Sequence, residues 1–306
     1  MELMGCGTAL VTPFRTDGSV DEPALHALVS WQIENGIDFL VPCGTTGEAA
    51  TLTEPEWLRV VEAVVGTVAG RVPVFAGCSH NSTREAVTKV RKLAQVQGLT
   101  GILSANPYYN RPGQEGQYQH FRAIAEAVDL PILLYNIPSR TGTNLEPATV
   151  LRLAELPNVI GIKESSGNLA QVTELLTTAP RNFKVFSGDD GLALPILALG
   201  GAGLVSVASN VIPGPMGRMV RSALENDWVS ARRINRQFFR LMQAHFWEAN
   251  PAPVKAVLSM IGRGEDVLRL PMVPVSAATR RRLERMVGEL GMLASVPSTG
   301  EDLRMF

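Results

Sequence analysis

Eight short apolar segments recur along this chain, beginning roughly 20–35 residues apart and each followed by an amphipathic stretch. They lie at 8–12, 39–42, 72–76, 101–104, 131–135, 159–163, 184–187 and 204–207. Strands separated by connections of that length are placed side by side in parallel, with the connection crossing back over the sheet. The connections themselves read as helices. After Asp21-Glu22-Pro23, the residues Leu25, Leu28, Val29, Trp31 and Ile33 form a helical stripe that ends at Asn35-Gly36. Thr53-Glu54-Pro55-Glu56 and Ser82-Thr83-Arg84-Glu85 both have capping-box spacing ahead of apolar stripes, and Leu145-Glu146-Pro147 opens another helix. Eight such units in one chain predict an α/β fold, a (β/α)8 TIM barrel over residues 1–212. A doubly wound sheet is the alternative. Its GxGxxG phosphate fingerprint is missing, since Gly200-Gly201-Ala202-Gly203 has different spacing and precedes a strand.

From about Pro213 the pattern turns to helices alone, at 217–225, 229–247, 253–261 and 276–290. The expected organisation is a barrel (1–212), a C-terminal helical domain (213–294) and a loose tail (295–306) rich in polar residues, Pro and Gly.

Composition narrows the function classes. A net charge of −1 over 306 residues leaves no electrostatic footprint for nucleic acid or an anionic membrane. The three cysteines, Cys6, Cys43 and Cys78, have no CxxC spacing, which suits a reducing compartment. The histidines His26, His80, His120 and His245 are dispersed, so no metal site is expected. Met1-Glu2-Leu3-Met4-Gly5 opens on no basic region with an apolar run behind it, so no signal peptide is expected. The apolar span 192–212 is broken by Pro195 and by the glycines at 200, 201 and 203, and reads as buried helix, turn and strand. A soluble, cytoplasmic protein is expected.

In a barrel the reactive groups sit at the C-terminal ends of the strands. The sixth strand, Val159-Ile160-Gly161-Ile162, ends in Lys163 followed by Glu164-Ser165-Ser166-Gly167. Two readings fit a lysine there. It snorkels to water from the strand end, or it stands in a partly dry pocket where desolvation disfavours the ammonium form and the amine can attack a carbonyl to form a Schiff base. The other strand ends favour the second reading. Gly44-Thr45-Thr46-Gly47-Glu48 offers hydroxyls and backbone N–H groups to a small carboxylate, though it also fits a helix-entry turn. Asn106-Pro107-Tyr108-Tyr109-Asn110-Arg111-Pro112 carries two phenols, suited either to interface packing or to proton transfer. Tyr135-Asn136-Ile137-Pro138-Ser139-Arg140-Thr141-Gly142 puts a phenol one strand from Lys163 and adds a guanidinium fork for a carboxylate. The aspartates of Ser187-Gly188-Asp189-Asp190 read as helix caps. A lysine nucleophile, phenols, a carboxylate seat and no metal ligands describe a Schiff-base aldolase.

These motifs, in this order, resemble the dihydrodipicolinate synthase family, the pyruvate-condensing branch of the N-acetylneuraminate lyase superfamily of class I aldolases. The likeness covers nearly the whole chain, including Asn250-Pro251-Ala252-Pro253-Val254-Lys255 and Leu268-Arg269-Leu270-Pro271-Met272. The resemblance implies that Lys163 forms a Schiff base with pyruvate, without any other cofactor. It implies a proton relay of Tyr135, Thr46 and Tyr109, the last reaching in from a neighbouring subunit. Thr45 and Thr46 would hold the pyruvate carboxylate, Arg140 the carboxylate of aspartate 4-semialdehyde, and Gly188 and Val205 would line the pocket through their backbones. The implied product is 4-hydroxy-tetrahydrodipicolinate, the entry to diaminopimelate and lysine, and the implied assembly is a homotetramer built as a dimer of dimers. Positions matching a lysine effector cleft in relatives are Ser79, Asn81, Glu85 and Tyr108, with Ala50, Glu54 and Trp57 nearby. Glu54 and Trp57 stand where lysine-sensitive bacterial relatives often carry histidines, and Glu85 also fits a helix cap. Two other readings stay open: a different pyruvate-dependent aldolase, cleaving N-acetylneuraminate or a keto-deoxy sugar acid, and a pyruvate-binding sensor barrel.

Overall fold

The computed structural model describes residues 3–294, so the expected tail at 295–306 lies outside the described residues. Eight parallel strands, β1 (Gly5–Ala9), β2 (Phe39–Val41), β3 (Phe75–Gly77), β4 (Gly101–Ala105), β5 (Ile132–Asn136), β6 (Val159–Glu164), β7 (Lys184–Ser187) and β8 (Gly203–Ser206), pair in the order β2-β1-β8-β7-β6-β5-β4-β3. A parallel bridge between Leu40 and Val74 joins the two ends of that order. The sheet is a closed barrel.

Two strands sit off their expected positions. The first begins at Gly5 rather than Thr8, and Leu10-Val11-Thr12 belongs to the loop beyond it. Gly5 and Gly7 interrupt the apolar run that marks a strand in sequence, yet Gly7 is required, because a Cβ there would lie 2.1 Å from the Phe39 ring. The third strand runs through Phe75–Gly77 rather than 72–76, since Pro73 has no N–H for a ladder.

Helices α1 (Glu22–Glu34), α2 (Glu54–Val68), α3 (Thr83–Leu93), α4 (Gln114–Ala125), α5 (Pro138–Thr141), α6 (Pro147–Leu153), α7 (Leu169–Thr178), α8 (Ala193–Ala198) and α9 (Pro213–Leu224) connect and surround the strands. The apolar span 192–212 resolves into α8, a glycine turn and β8, as expected. Among the described residues no helix is long and apolar enough to cross a membrane. Thr53 and Glu56 form the expected capping box of α2, and Ser82 caps α3. Helix α9 starts at Pro213, where the helical extension was expected to start, and packs on β1 and β8 as the last helix of the barrel ring. Helices α10 (Trp228–Ala244), α11 (Ala252–Met260) and α12 (Ala277–Glu289) follow.

Alternation along the strands separates two cores. Phe39, Val41, Phe75, Leu103, Leu133, Tyr135, Phe186 and Val205 point into the barrel, where Phe39 meets Phe186 and Phe75 edge to face. Leu40, Ile102, Leu134 and Ile162 point outward, against the helices. An inward side chain at the C-terminal end of a strand therefore faces the barrel mouth from a rigid support.

Candidate active site

Tyr135 and Lys163 are direct partners in the β5–β6 ladder, and both belong to the inward-facing set by strand alternation. Lys163 is 5 % exposed, and its Nζ lies 4.1 Å from the centroid of the Tyr135 ring. The lysine is thus buried beside a phenol and does not snorkel to water.

Its stem is confined from the side of β7. A Cβ on Gly188 would lie 1.9 Å from Ser165 Oγ and 2.8 Å from Lys163 Cε, so the backbone of Gly188 touches both residues and admits no side chain. Val205, expected to line the pocket, is fully buried inside the barrel next to Gly7. Outside the barrel, Glu164 accepts from Asn136 Nδ2 (3.0 Å), Gln171 Nε2 (3.1 Å) and the Ser166 N–H (2.6 Å). Asn144 bonds both Asn136 and Gln171. This buried network ties β5, β6 and α7 immediately behind Tyr135 and Lys163, so it holds their ladder in register. Sequence reading assigned these outward residues no role. Only the strict in–out alternation of Tyr135-Asn136 and Lys163-Glu164 could have signalled it.

The turn after β2 carries Thr45 and Thr46. Thr46 is buried and Thr45 exposed. The N–H groups of Gly47 and Glu48 bond back within the turn, to Gly44 O and Thr45 O. Those of Thr45 and Thr46 have no partner among the described residues, and a Cβ on Gly44 would meet nothing within 4 Å. Two adjacent donors beside open space suit an anionic group. The Thr46 hydroxyl accepts from Asn250 Nδ2 at 2.9 Å, which leaves its own proton free to donate.

Arg140 lies in α5, directly after β5, with its side chain exposed and one guanidinium nitrogen 3.3 Å from Asn250 O. Asn250 therefore touches both the threonine seat and the arginine, a placement that nothing in its local sequence marks. The same holds for two further residues. Glu48 and Lys255 form an ion pair of 2.5 Å with both side chains 2 % exposed. Burial pulls the Lys255 ammonium below the ordinary lysine range, with Glu48 opposing.

Asp189 caps the short turn after β7, accepting from Gly191 N. Asp190 does not serve as a simple helix cap. It is buried and accepts from Ser206 Oγ (2.5 Å) and the Val207 and Ala208 N–H groups, bracing the ends of β7 and β8; burial raises its carboxyl to about 6.

Tyr109 is not brought to the buried pair within one chain. It is 88 % exposed, with φ +73°, on a loop pinned by Asn110 to Asn81 O and by Arg111 to Gly142 O. The effector candidates are scattered in their commitments. Ser79 Oγ accepts from Ala105 N, Glu54 pairs with Lys92, and Glu85 pairs with Arg84. Trp57 is buried and donates to Gly77 O, while Ala50 and Tyr108 are exposed. Among the described residues no group of three or more His, Cys, Asp or Glu side chains could hold a metal ion.

Comparison with known proteins decides the family. The sequence profile described as the dihydrodipicolinate synthetase family matches residues 2–290. The chain belongs to that family. Among its relatives within the dihydrodipicolinate synthetases, the 4-hydroxy-tetrahydrodipicolinate synthase of Acidobacterium capsulatum is 63% identical over 97% of this chain and 99% of its own length. That of Koribacter versatilis is 58% identical over 96% and 98%. A crystal structure of the chloride-inhibited dihydrodipicolinate synthase from Acinetobacter baumannii, complexed with pyruvate, superposes with a TM-score of 0.92 at 40% identity, covering 95% of this chain and 99% of that one.

Proposed function

We propose that this chain condenses pyruvate with L-aspartate 4-semialdehyde to 4-hydroxy-tetrahydrodipicolinate, the reaction that feeds diaminopimelate and lysine synthesis. The observation that carries the proposal is the buried amine of Lys163 against the ring of Tyr135 at a barrel mouth, in a chain of this family.

The chemistry follows from the groups present. Lys163 attacks the pyruvate carbonyl, and Tyr135 supplies the proton with which the carbinolamine loses water to become the iminium. Loss of a methyl proton gives the enamine, whose carbon adds to the aldehyde of the second substrate, and the new alkoxide takes up a proton. The substrate's own amine then closes the ring and displaces Lys163. The iminium formed on Lys163 serves as the electron sink when the methyl proton leaves, so the sequence of steps needs no metal or external cofactor. The free N–H groups of Thr45 and Thr46 seat the pyruvate carboxylate, and Arg140 receives that of the semialdehyde. Thr46, with its hydroxyl proton free, passes protons between Tyr135 and Tyr109. The exposure of Tyr109 is accounted for if a second copy receives it, in a homotetramer built as a dimer of dimers. The site of action is the cytoplasm.

Borohydride reduction in the presence of pyruvate tests the reading. Intact protein should gain the mass of pyruvate less water plus the two hydrogens of reduction, on Lys163 alone. Absence of that adduct, or its location on another lysine, overturns it. Turnover of a sugar acid with no turnover of the semialdehyde would move the chain to the cleaving aldolases.

A further inference from the structure

The turn that carries Thr45 and Thr46 is closed by internal hydrogen bonds from the Gly47 and Glu48 N–H groups to Gly44 O and Thr45 O, and is further held from outside. Its flanking residues Cys43 and Glu48 both adopt left-handed backbone, φ +56° and +51°, without being glycine. Such conformations persist only where the surroundings impose them. One restraint comes from the loop after β1, where the Thr12 hydroxyl donates to Gly47 O at 2.7 Å. Further restraints come from the segment around Asn250 and Lys255 and from Arg269. Asn250 bonds the Thr46 hydroxyl, and Lys255, in the first turn of α11, meets Glu48.

Lys255 is held from every side. Its Nζ pairs with Glu48 Oε1, donates to Val267 O at 2.9 Å and stands 4.2 Å from the centroid of the Phe14 ring. The other carboxylate oxygen of Glu48 accepts the Arg269 N–H at 3.2 Å. Arg269 in turn reaches Glu56 through two nitrogens and Gly18 O through a third. Removing two charges from water costs about as much as their attraction returns, so stability alone is a poor account of such a pair. What it supplies is one fixed geometry.

We propose that Lys255 is a positioning residue for the first substrate: its buried pair with Glu48 fixes the turn so that the N–H groups of Thr45 and Thr46 converge on the carboxylate of the keto acid. The inference rests on the reading that Lys163 forms the adduct and that this turn seats pyruvate. It requires no contact between Lys255 and substrate.

The test is the rate of borohydride trapping against pyruvate concentration, in wild type, in Lys255→Met, and in the double variant Lys255→Met with Glu48→Gln. The double variant leaves no unpaired buried charge, so it retains the fold where the single variant fails, and its thermal unfolding is recorded alongside. With the strut gone, the half-saturating pyruvate concentration should rise about tenfold. The maximal trapping rate should stay within about threefold, and KM for the semialdehyde at saturating pyruvate should not move. An unchanged half-saturation in the folded double variant overturns the proposal. So does a parallel rise of both KM values, which reports general loosening. Absence of trapping in wild type itself would instead count against Lys163.

Discussion

Lys163 and Tyr135 share one rung of the β5–β6 ladder, with the lysine Nζ 4.1 Å from the centroid of the tyrosine ring. Their separation is therefore set by strand spacing and not by a loop. The network of Asn136, Asn144, Glu164 and Gln171 behind them keeps that rung in register. Two side chains held this way are preorganised at rest.

The first expectation concerns the phenol. Tyr135→Phe keeps the ring against Lys163 and removes only the proton donor. Turnover should fall about 10²-fold or more, the usual contribution of a positioned acid–base group, while the unfolding temperature changes little. Steady-state rates with circular-dichroism melts check it. Full activity in the phenylalanine variant would place the proton source elsewhere.

Arg140 is exposed and its side chain makes one hydrogen bond among the described residues, to Asn250 O, so its removal should leave the fold intact. Arg140→Ala should raise KM for the semialdehyde about 10- to 100-fold, the value of a charge-assisted hydrogen bond to a carboxylate. Trapping of pyruvate should be unaffected. Equal losses in both half-reactions would mean that the arginine shapes the whole mouth rather than the second seat.

How far these assignments were legible beforehand depended on the kind of signal. The barrel was readable because period and spacing are local properties of sequence, and the strand-end placement of Lys163 and Tyr135 was readable because each follows an apolar run. The first strand slipped by three residues because Gly5 and Gly7, which make room for neighbouring side chains, break the apolar pattern. Asn250 and Lys255 carried no local mark of their contacts. They meet Thr46 and Glu48 across more than two hundred residues of sequence, and no periodicity encodes a contact of that range. Asp190 was misread for a related reason: an aspartate after a strand looks like a cap, and only the return of β8 beside β7 supplies its three donors.

Gly188 offers a steric test. Its backbone is not left-handed, so alanine there meets a clash and no conformational strain. The added Cβ would lie 1.9 Å from Ser165 Oγ and 2.8 Å from Lys163 Cε. Gly188→Ala should displace the lysine stem and reduce turnover about tenfold or more, since sub-ångström misplacement of a reacting group is costly. Adding Ser165→Ala removes the closer obstacle and should restore part of the rate. Gly188→Ala with wild-type kinetics would show that the lysine has room the structure does not give it.

The last expectation is acid sensitivity, and it turns on His245 at the end of α10. The ring is fully buried and neither nitrogen has a partner among the described residues; burial pushes its pKa down to about 3. A histidine held neutral in the folded state contributes stability above its unfolded pKa near 6.5, and that stability drains as pH falls below it. The loss is about 1.4 kcal/mol per pH unit, or about 2 kcal/mol between pH 6.5 and 5. It does not depend on the folded value so long as that value lies well under 5. Asp190 acts in the opposite sense, since a carboxyl raised to about 6 makes the folded state bind its proton more tightly as pH falls toward 4. The two are separated by His245→Leu, which deletes the first contribution and leaves the second. Urea unfolding at pH 7.5 and pH 5 should show the variant losing about 2 kcal/mol less than wild type over that interval. Parallel losses would mean that the imidazole finds a proton acceptor or water in the folded protein.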